Sequence, residues 1–306
     1  MKHLVISLTI GAAAVLPSIA SGETLEVQAV TDGIWAIVGE KEQRSPENLG
    51  NNATFGLVVT SEGAVLVDPG GSWKGAEALD AVIRGVTDQP VKYVINTGGQ
   101  DHRWLGNGYW QAQGAQVIAS ADAVADQQAR GSMQMTMLTQ LLGAELEGTE
   151  PVQADITFDD AYTLDLGGTV FEITHPGAAH TPGDSFVWIA EKGTVFTGDI
   201  VYVERILGVG EQSSITEWPG AFEAIAALEP EHVVPGHGHA TTLAQARADT
   251  YDYLMNLREK IGALIDEGGD ILEAPKVDQS AFSYLEQFDS LAGRNAQTAF
   301  EQMEWE

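Results

Sequence analysis

Apolar residues in this chain fall into short runs broken by turn residues, with stretches of helical spacing between them. Residues 33–39, 53–60 and 64–68 are three such runs, the last two split by Ser61-Glu62-Gly63, and they predict successive strands. Leu79, Val82, Ile83 and Val86 then recur at helical spacing, and residues 91–96 return to a buried strand. After a strand at 116–119, Ser120 can cap a helix that carries Val124 and continues through Met133, Met135, Met137, Leu138, Leu141 and Leu142. The second half repeats the alternation. Residues 169–174, 185–190, 194–197 and 232–235 are strand-like, 221–228 helical, and Thr250, Leu254, Leu257, Ile261 and Leu264 share one face of a long helix. Two β-rich halves with intervening helices predict an α/β (α+β) fold, a four-layer αββα sandwich over residues 21–245. Residues 246–306 read as a helical extension packed on it, because Gly268-Gly269 is too slight for an interdomain linker.

The first 20 residues have a different pattern. Lys2 and His3, an apolar run at 4–16 and Ser18-Ile19-Ala20 resemble a secretory signal, so the expected location is periplasmic or secreted. The apolar run is too short to span a bilayer about 30 Å thick. With no cysteine, the chain offers neither disulfide nor thiolate ligand, leaving histidine and carboxylate for any metal. Formal charge is -29, from 15 basic and 44 acidic residues. Such a surface repels nucleic acid and anionic membrane, and the expected partner is a small-molecule substrate.

The most informative stretch is Asn96-Thr97-Gly98-Gly99-Gln100-Asp101-His102-Arg103-Trp104-Leu105-Gly106-Asn107, which directly follows a predicted strand. With Val-Leu-Val-Asp-Pro-Gly ending in Asp68, Gly177-Ala178-Ala179-His180-Thr181-Pro182-Gly183, Thr197-Gly198-Asp199 and Pro235-Gly236-His237-Gly238, it resembles, in order, the motifs of the metallo-β-lactamase superfamily. In that family the loop reads Asn-Thr-His-x-His-x-Asp-His-x-x-Gly-Asn. Asn96, Thr97, Gly106 and Asn107 match, while Gly98 and Gln100 stand in the places of the first two histidines. The closing Asn295-Ala296-Gln297 and Gln302-Met303-Glu304-Trp305-Glu306 resemble, more narrowly, the SoxH-like and quinoprotein-relay metallohydrolases. That likeness implies a neighbour in a periplasmic oxidation system.

The resemblance implies a site that keeps one ion. It places His102, His180, Asp199 and His237 as metal ligands, with Asp101 or Asp199 as the catalytic proton acceptor. One divalent ion, zinc, suits two imidazoles and a carboxylate and leaves positions open for water. The implied activity is hydrolysis of an ester, thioester, lactone or amide. Two registers remain open. Without gaps His102 replaces the family aspartate and Arg103 the following histidine; with a one-residue slip, Asp101 and His102 form the family pair. A second reading also stands, in which Arg103 pairs with Asp199 and the chain is a metal-free, catalytically retired binder of a small ligand or partner protein. Trp73, Trp104 and Trp110 would then offer an apolar lining, and Tyr202, Glu204 and Arg205 follow Asp199 closely enough to face the same cleft.

Overall fold

A computed structural model describes residues 25–305; the expected signal at residues 1–20 lies outside them. The strands β1 (Glu26–Thr31), β2 (Ile34–Val38), β3 (Thr54–Thr60), β4 (Gly63–Val67), β5 (Val91–Ile95), β6 (Gln116–Ser120) and β7 (Ile156–Phe158) form one sheet in chain order. The helices α1 (Trp73–Val86), α2 (Asn107–Ala112) and α3 (Ala121–Leu142) lie between its later strands in sequence. A second sheet holds β8 (Ala161–Leu166), β9 (Thr169–Thr174), β10 (Phe186–Ile189), β11 (Thr194–Phe196) and β12 (His232–Val234). Helix α4 (Trp218–Ala226) precedes β12, and α5 (Leu243–Ala246), α6 (Asp252–Asp266) and α7 (Phe288–Met303) complete the order.

The period of two along each strand decides the layering. In β4, Val65 and Val67 face the other sheet and meet Phe171, Ile173 and Val187, whereas Ala64 and Leu66 face Leu79 and Ile83 of α1. The outer face of the second sheet is covered by α4, α6 and α7, through Phe222, Leu257 and Phe300 among others. Helices thus cover both outer faces of two packed sheets, the four-layer αββα sandwich. Val195 of β11 shares one apolar cluster with Tyr253, Leu254, Ile261 and Ala296, so the C-terminal helices complete a core layer. Ser120 caps α3 through its hydroxyl, which accepts the Ala123 N–H at 3.0 Å.

The site lies where parallel strands end together. β4 runs parallel to β5, and β11 parallel to β12, so the loops carrying Asp68, residues 96–107, Asp199 and His237 all leave at one edge of the sandwich. Backbone bonds tie the two sheets together there: Thr54 N–H to the Gly236 carbonyl and Ser185 N–H to the Thr97 carbonyl, both 2.7 Å.

Candidate metal centre and its cavity

The loop after β5 is shaped from its ends. Asn96 and Asn107 exchange side-chain amide bonds at 2.9 Å in each direction, which joins the two ends of the loop. A Cβ on Gly106 would stand 2.3 Å from the Pro69 carbonyl oxygen, so only glycine fits there. Asp68, at a positive φ of 68°, one that aspartate tolerates better than most residues, accepts the Thr97 N–H at 2.8 Å.

At the base of the loop lies Arg103, fully buried. Its two terminal nitrogens donate to Asp68 Oδ2 at 2.8 Å and Asp199 Oδ1 at 2.7 Å, and also to the carbonyls of Thr54 and Gly236. Burial by itself would push the Asp199 carboxyl up, but Arg103 and His102 hold it well below the usual carboxylate range. Asp199 therefore keeps its negative charge while buried.

Two imidazoles meet that carboxylate. His102 Nε2 lies 3.2 Å from Asp199 Oδ2, and His237 Nε2 lies 3.2 Å from Asp199 Oδ1. One ligand atom from each of His102, Asp199 and His237 falls within 4.8 Å of the others. Metal–ligand bonds near 2.0–2.1 Å put the donors of a tetrahedral ion about 3.3 Å apart, so the donor set fits one such ion. The second contacts of the rings bear on the same question. His102 Nδ1 has Asp101 Oδ1 at 3.2 Å and Arg44 Nη2 at 3.0 Å. With a cation at Nε2 the proton moves to Nδ1 and bonds Asp101, the carboxylate–histidine pairing that metal sites use. Without one, Nε2 keeps its proton for Asp199, and Nδ1 accepts from Arg44.

The geometry is that of the gap-free register: His102 reaches Asp199, Asp101 turns to Arg44, and Arg103 goes beneath. Asp101 receives Arg44 Nε at 3.0 Å and the His102 N–H at 2.8 Å. Burial opposes its charge, but Arg44 holds its carboxyl far below the usual range. A carboxylate so held, and absent from the cavity wall, has little capacity to accept a proton. His180 stands outside the three-residue ligand cluster but lines the same cavity. Its Nδ1 lies 2.9 Å from the Gly208 carbonyl, an acceptor that fixes the proton on Nδ1 and leaves a lone pair on Nε2. Burial pushes this imidazole down to about 4, so it is neutral at pH 7.

The cavity measures about 200 Å³ and is walled by Arg44, His102, His180, Tyr202, Arg205, His237 and neighbouring residues. Tyr202 stacks on His237 with ring centroids 4.4 Å apart. Glu204 instead turns away to Lys41 and His239. The tryptophans offered as an apolar lining are elsewhere: Trp104 and Trp110 are buried in core clusters and Trp73 packs edge-on against Tyr109. They are large apolar residues next to the motif in sequence, and packing takes them inward. Arg44 and Arg294, which line the cavity, carry no local signal in the sequence; one sits in the loop before β3, the other on α7.

The place of the family's first histidine has been refilled. A Cβ on Gly98 would stand 2.4 Å from Asp184 Oδ1 and 3.2 Å from the Thr181 hydroxyl. Asp184 accepts the Thr181 N–H at 2.9 Å, so a carboxyl and a hydroxyl occupy space that a side chain at 98 would need.

Comparison with known proteins agrees with this architecture. Residues 50–237 match the model of the metallo-beta-lactamase superfamily. A metallo-beta-lactamase type 2 from Elizabethkingia meningoseptica is 24% identical over 191 residues, 61% of this chain and 68% of that protein. Among solved structures, a metallo-beta-lactamase from Pontibacter korlensis superposes with a TM-score of 0.60 at 24% identity, over 76% of this chain and 99% of that one. The FIM-1 metallo-beta-lactamase of Pseudomonas aeruginosa, solved in a mono-zinc form, superposes with a TM-score of 0.58 at 20% identity, over 74% and 93%. With the sandwich, the ordered motifs and this match over more than half its length, the chain belongs to the metallo-beta-lactamase superfamily.

Proposed function

We propose that the protein is an exported hydrolase that holds one divalent ion, zinc on donor chemistry, and cleaves an ester, thioester, lactone or amide bond in a small molecule. The observation that carries this reading is the convergence of His102 and His237, which line the cavity, on the buried Asp199, with the ligand atoms of the three within 4.8 Å of one another. When bound, such an ion lowers the pKa of water to about 7 and polarises a carbonyl. The chain's own groups supply the rest. Asp199 brings a fixed negative charge, and Asp101 orients His102 through Nδ1. His180, neutral and with its proton held on Nδ1 by the Gly208 carbonyl, offers Nε2 as a hydrogen-bond acceptor that orients the attacking water. Export rests on the leader at residues 1–20, and N-terminal sequencing of the mature chain tests it: a start at Ser21 supports it, a retained Met1 refutes it. The closing motif that suggested a periplasmic oxidation system has a structural use, described below, and that partner stays a proposal.

One observation favours a second reading. The Arg103 guanidinium satisfies Asp199 without any ion, as a retired, metal-free binder would require. Elemental analysis of protein purified without a metal-affinity tag, with His102→Ala and His180→Ala beside it, separates the two. The hydrolase holds about one ion per chain, loses it in His102→Ala and keeps it, with hydrolysis of model esters and lactones abolished, in His180→Ala. Loss of metal in His180→Ala makes His180 a ligand, as its motif implies. Absence of metal from the parent protein sinks the hydrolase.

A further inference from the structure

The chain has 15 lysines and arginines against 44 acidic residues, yet Arg44, Arg205 and Arg294 all line the cavity beside His102, His180 and His237. Among the described residues no aspartate or glutamate lines it, and its other polar side chains include Gln43, Gln100 and Gln212. Arg44 is neutralised by Asp101. Arg205 is different: it is only 4% exposed, has no carboxylate partner among the described residues, and its Nε has no hydrogen-bond acceptor. Its one side-chain contact of this kind is a long one, Nη1 to His237 Nδ1 at 3.4 Å. The backbone that carries it is held in place on both sides. Ile206 N–H bonds the Glu286 carbonyl and Glu286 N–H the Glu204 carbonyl, each at 2.9 Å, while the Glu286 side chain is taken by Lys41. Arg294, at the rim on α7, is exposed and likewise has no carboxylate partner among the described residues.

A buried guanidinium without a counter-charge is costly, and most buried polar groups in proteins are satisfied. We propose that the cavity recognises an anionic group on the substrate, a carboxylate or a phosphate carried beside the bond that is cleaved, with Arg205 as its principal contact and Arg294 closing over it. Both groups match the planar fork of a guanidinium. The cavity of about 200 Å³ accommodates a small-molecule substrate. The proposal rests on the hydrolase reading for its cleaved bond, but not for the anion contact. The acidic surface would slow the approach of such a substrate, so the positive charge is placed where contact is made.

Titration calorimetry at fixed ionic strength, with inorganic phosphate and with malonate, tests this on chelated and on zinc-loaded protein. Phosphate or malonate binds the chelated protein, and the tighter of the two identifies the head group. Binding weakens about tenfold or more in Arg205→Gln, in line with a lost charge-assisted contact, and severalfold in Arg294→Gln, whose exposed position leaves folding intact. Glycerol, a neutral probe, does not compete. No binding of either anion, or equal binding in both variants, overturns the proposal. Anion binding without zinc uptake keeps the pocket and removes the hydrolase; zinc uptake without anion binding does the reverse.

Discussion

Arg103 shows what one residue can decide. Its guanidinium is fully buried between Asp68 and Asp199, so replacing it leaves two buried carboxylates without a counter-charge. Arg103→Met is expected to cost about 3–5 kcal/mol, measured as a fall in the urea midpoint with the slope unchanged; a loss below 1 kcal/mol would show that the pair contributes no more than a surface salt bridge. Asp184 gives a pH dependence of definite sign. Burial first, then the nearby Asp199 charge, pushes its carboxyl up to about 8, whereas an unfolded aspartate titrates near 3.9. Between those values the native state holds a proton the unfolded chain has lost, so stability falls as pH rises through this window. Unfolding of chelated protein at pH 6 and pH 9 should show that decline, and Asp184→Asn should flatten it. An undiminished decline in the variant would assign the titration elsewhere. His102, His180, Asp199 and His237 were all legible in the sequence because motif and spacing mark them. Their division into a ligand cluster of three and a separate imidazole was not, since it depends on where the 178–184 turn sits relative to β11 and β12.

At the scale of elements, α7 reaches the site through the 207–215 loop. Asn295, buried on that helix, accepts the Val209 N–H at 2.9 Å and donates to the Leu207 carbonyl at 2.8 Å. Gln302 accepts the Ile215 N–H at 3.0 Å and donates to the Ser213 carbonyl at 2.9 Å. Gly208, between the Asn295 contacts, holds His180 Nδ1. These two residues belong to the closing pattern that the sequence related to a family subgroup, and here they position a loop. Asn295→Ala is expected to cost about 1–3 kcal/mol, from unsatisfied backbone groups, and to lower kcat with metal content unchanged. Unchanged kcat would confine Asn295 to stability. Helical periodicity was readable in α1 and α6, where apolar spacing is regular, and α3 was marked by its Ser120 cap, although Met133, Met137 and Leu141 of its apolar run are exposed. The short strands β7 and β8, the edge strand β1 and the short helix α2 were not anticipated, because three to six residues with one buried face carry too little periodicity.

For the whole molecule, the charge of -29 implies self-repulsion in the compact state. Screening should relieve it. Raising ionic strength from about 0.01 M to 0.1 M shortens the Debye length from about 30 to 10 Å and is expected to raise the melting temperature of the chelated protein by a few degrees. A fall would mean that surface ion pairs outweigh the repulsion. The sandwich itself, its ordered motif loops and the loss of the first two family histidines were fixed by the sequence alone. A strand's period of two and a motif's spacing are local properties, and they survive in one dimension. Tertiary structure alone decided that Arg103 lies beneath Asp199, that Asp101 serves Arg44, that Asp184 fills the space beside Gly98, and that Arg44, Arg205 and Arg294 surround one cavity. Those pairings join residues between 57 and 250 positions apart. Only the closing of parallel strand ends against each other, with the C-terminal helix laid across them, brings their charges within reach.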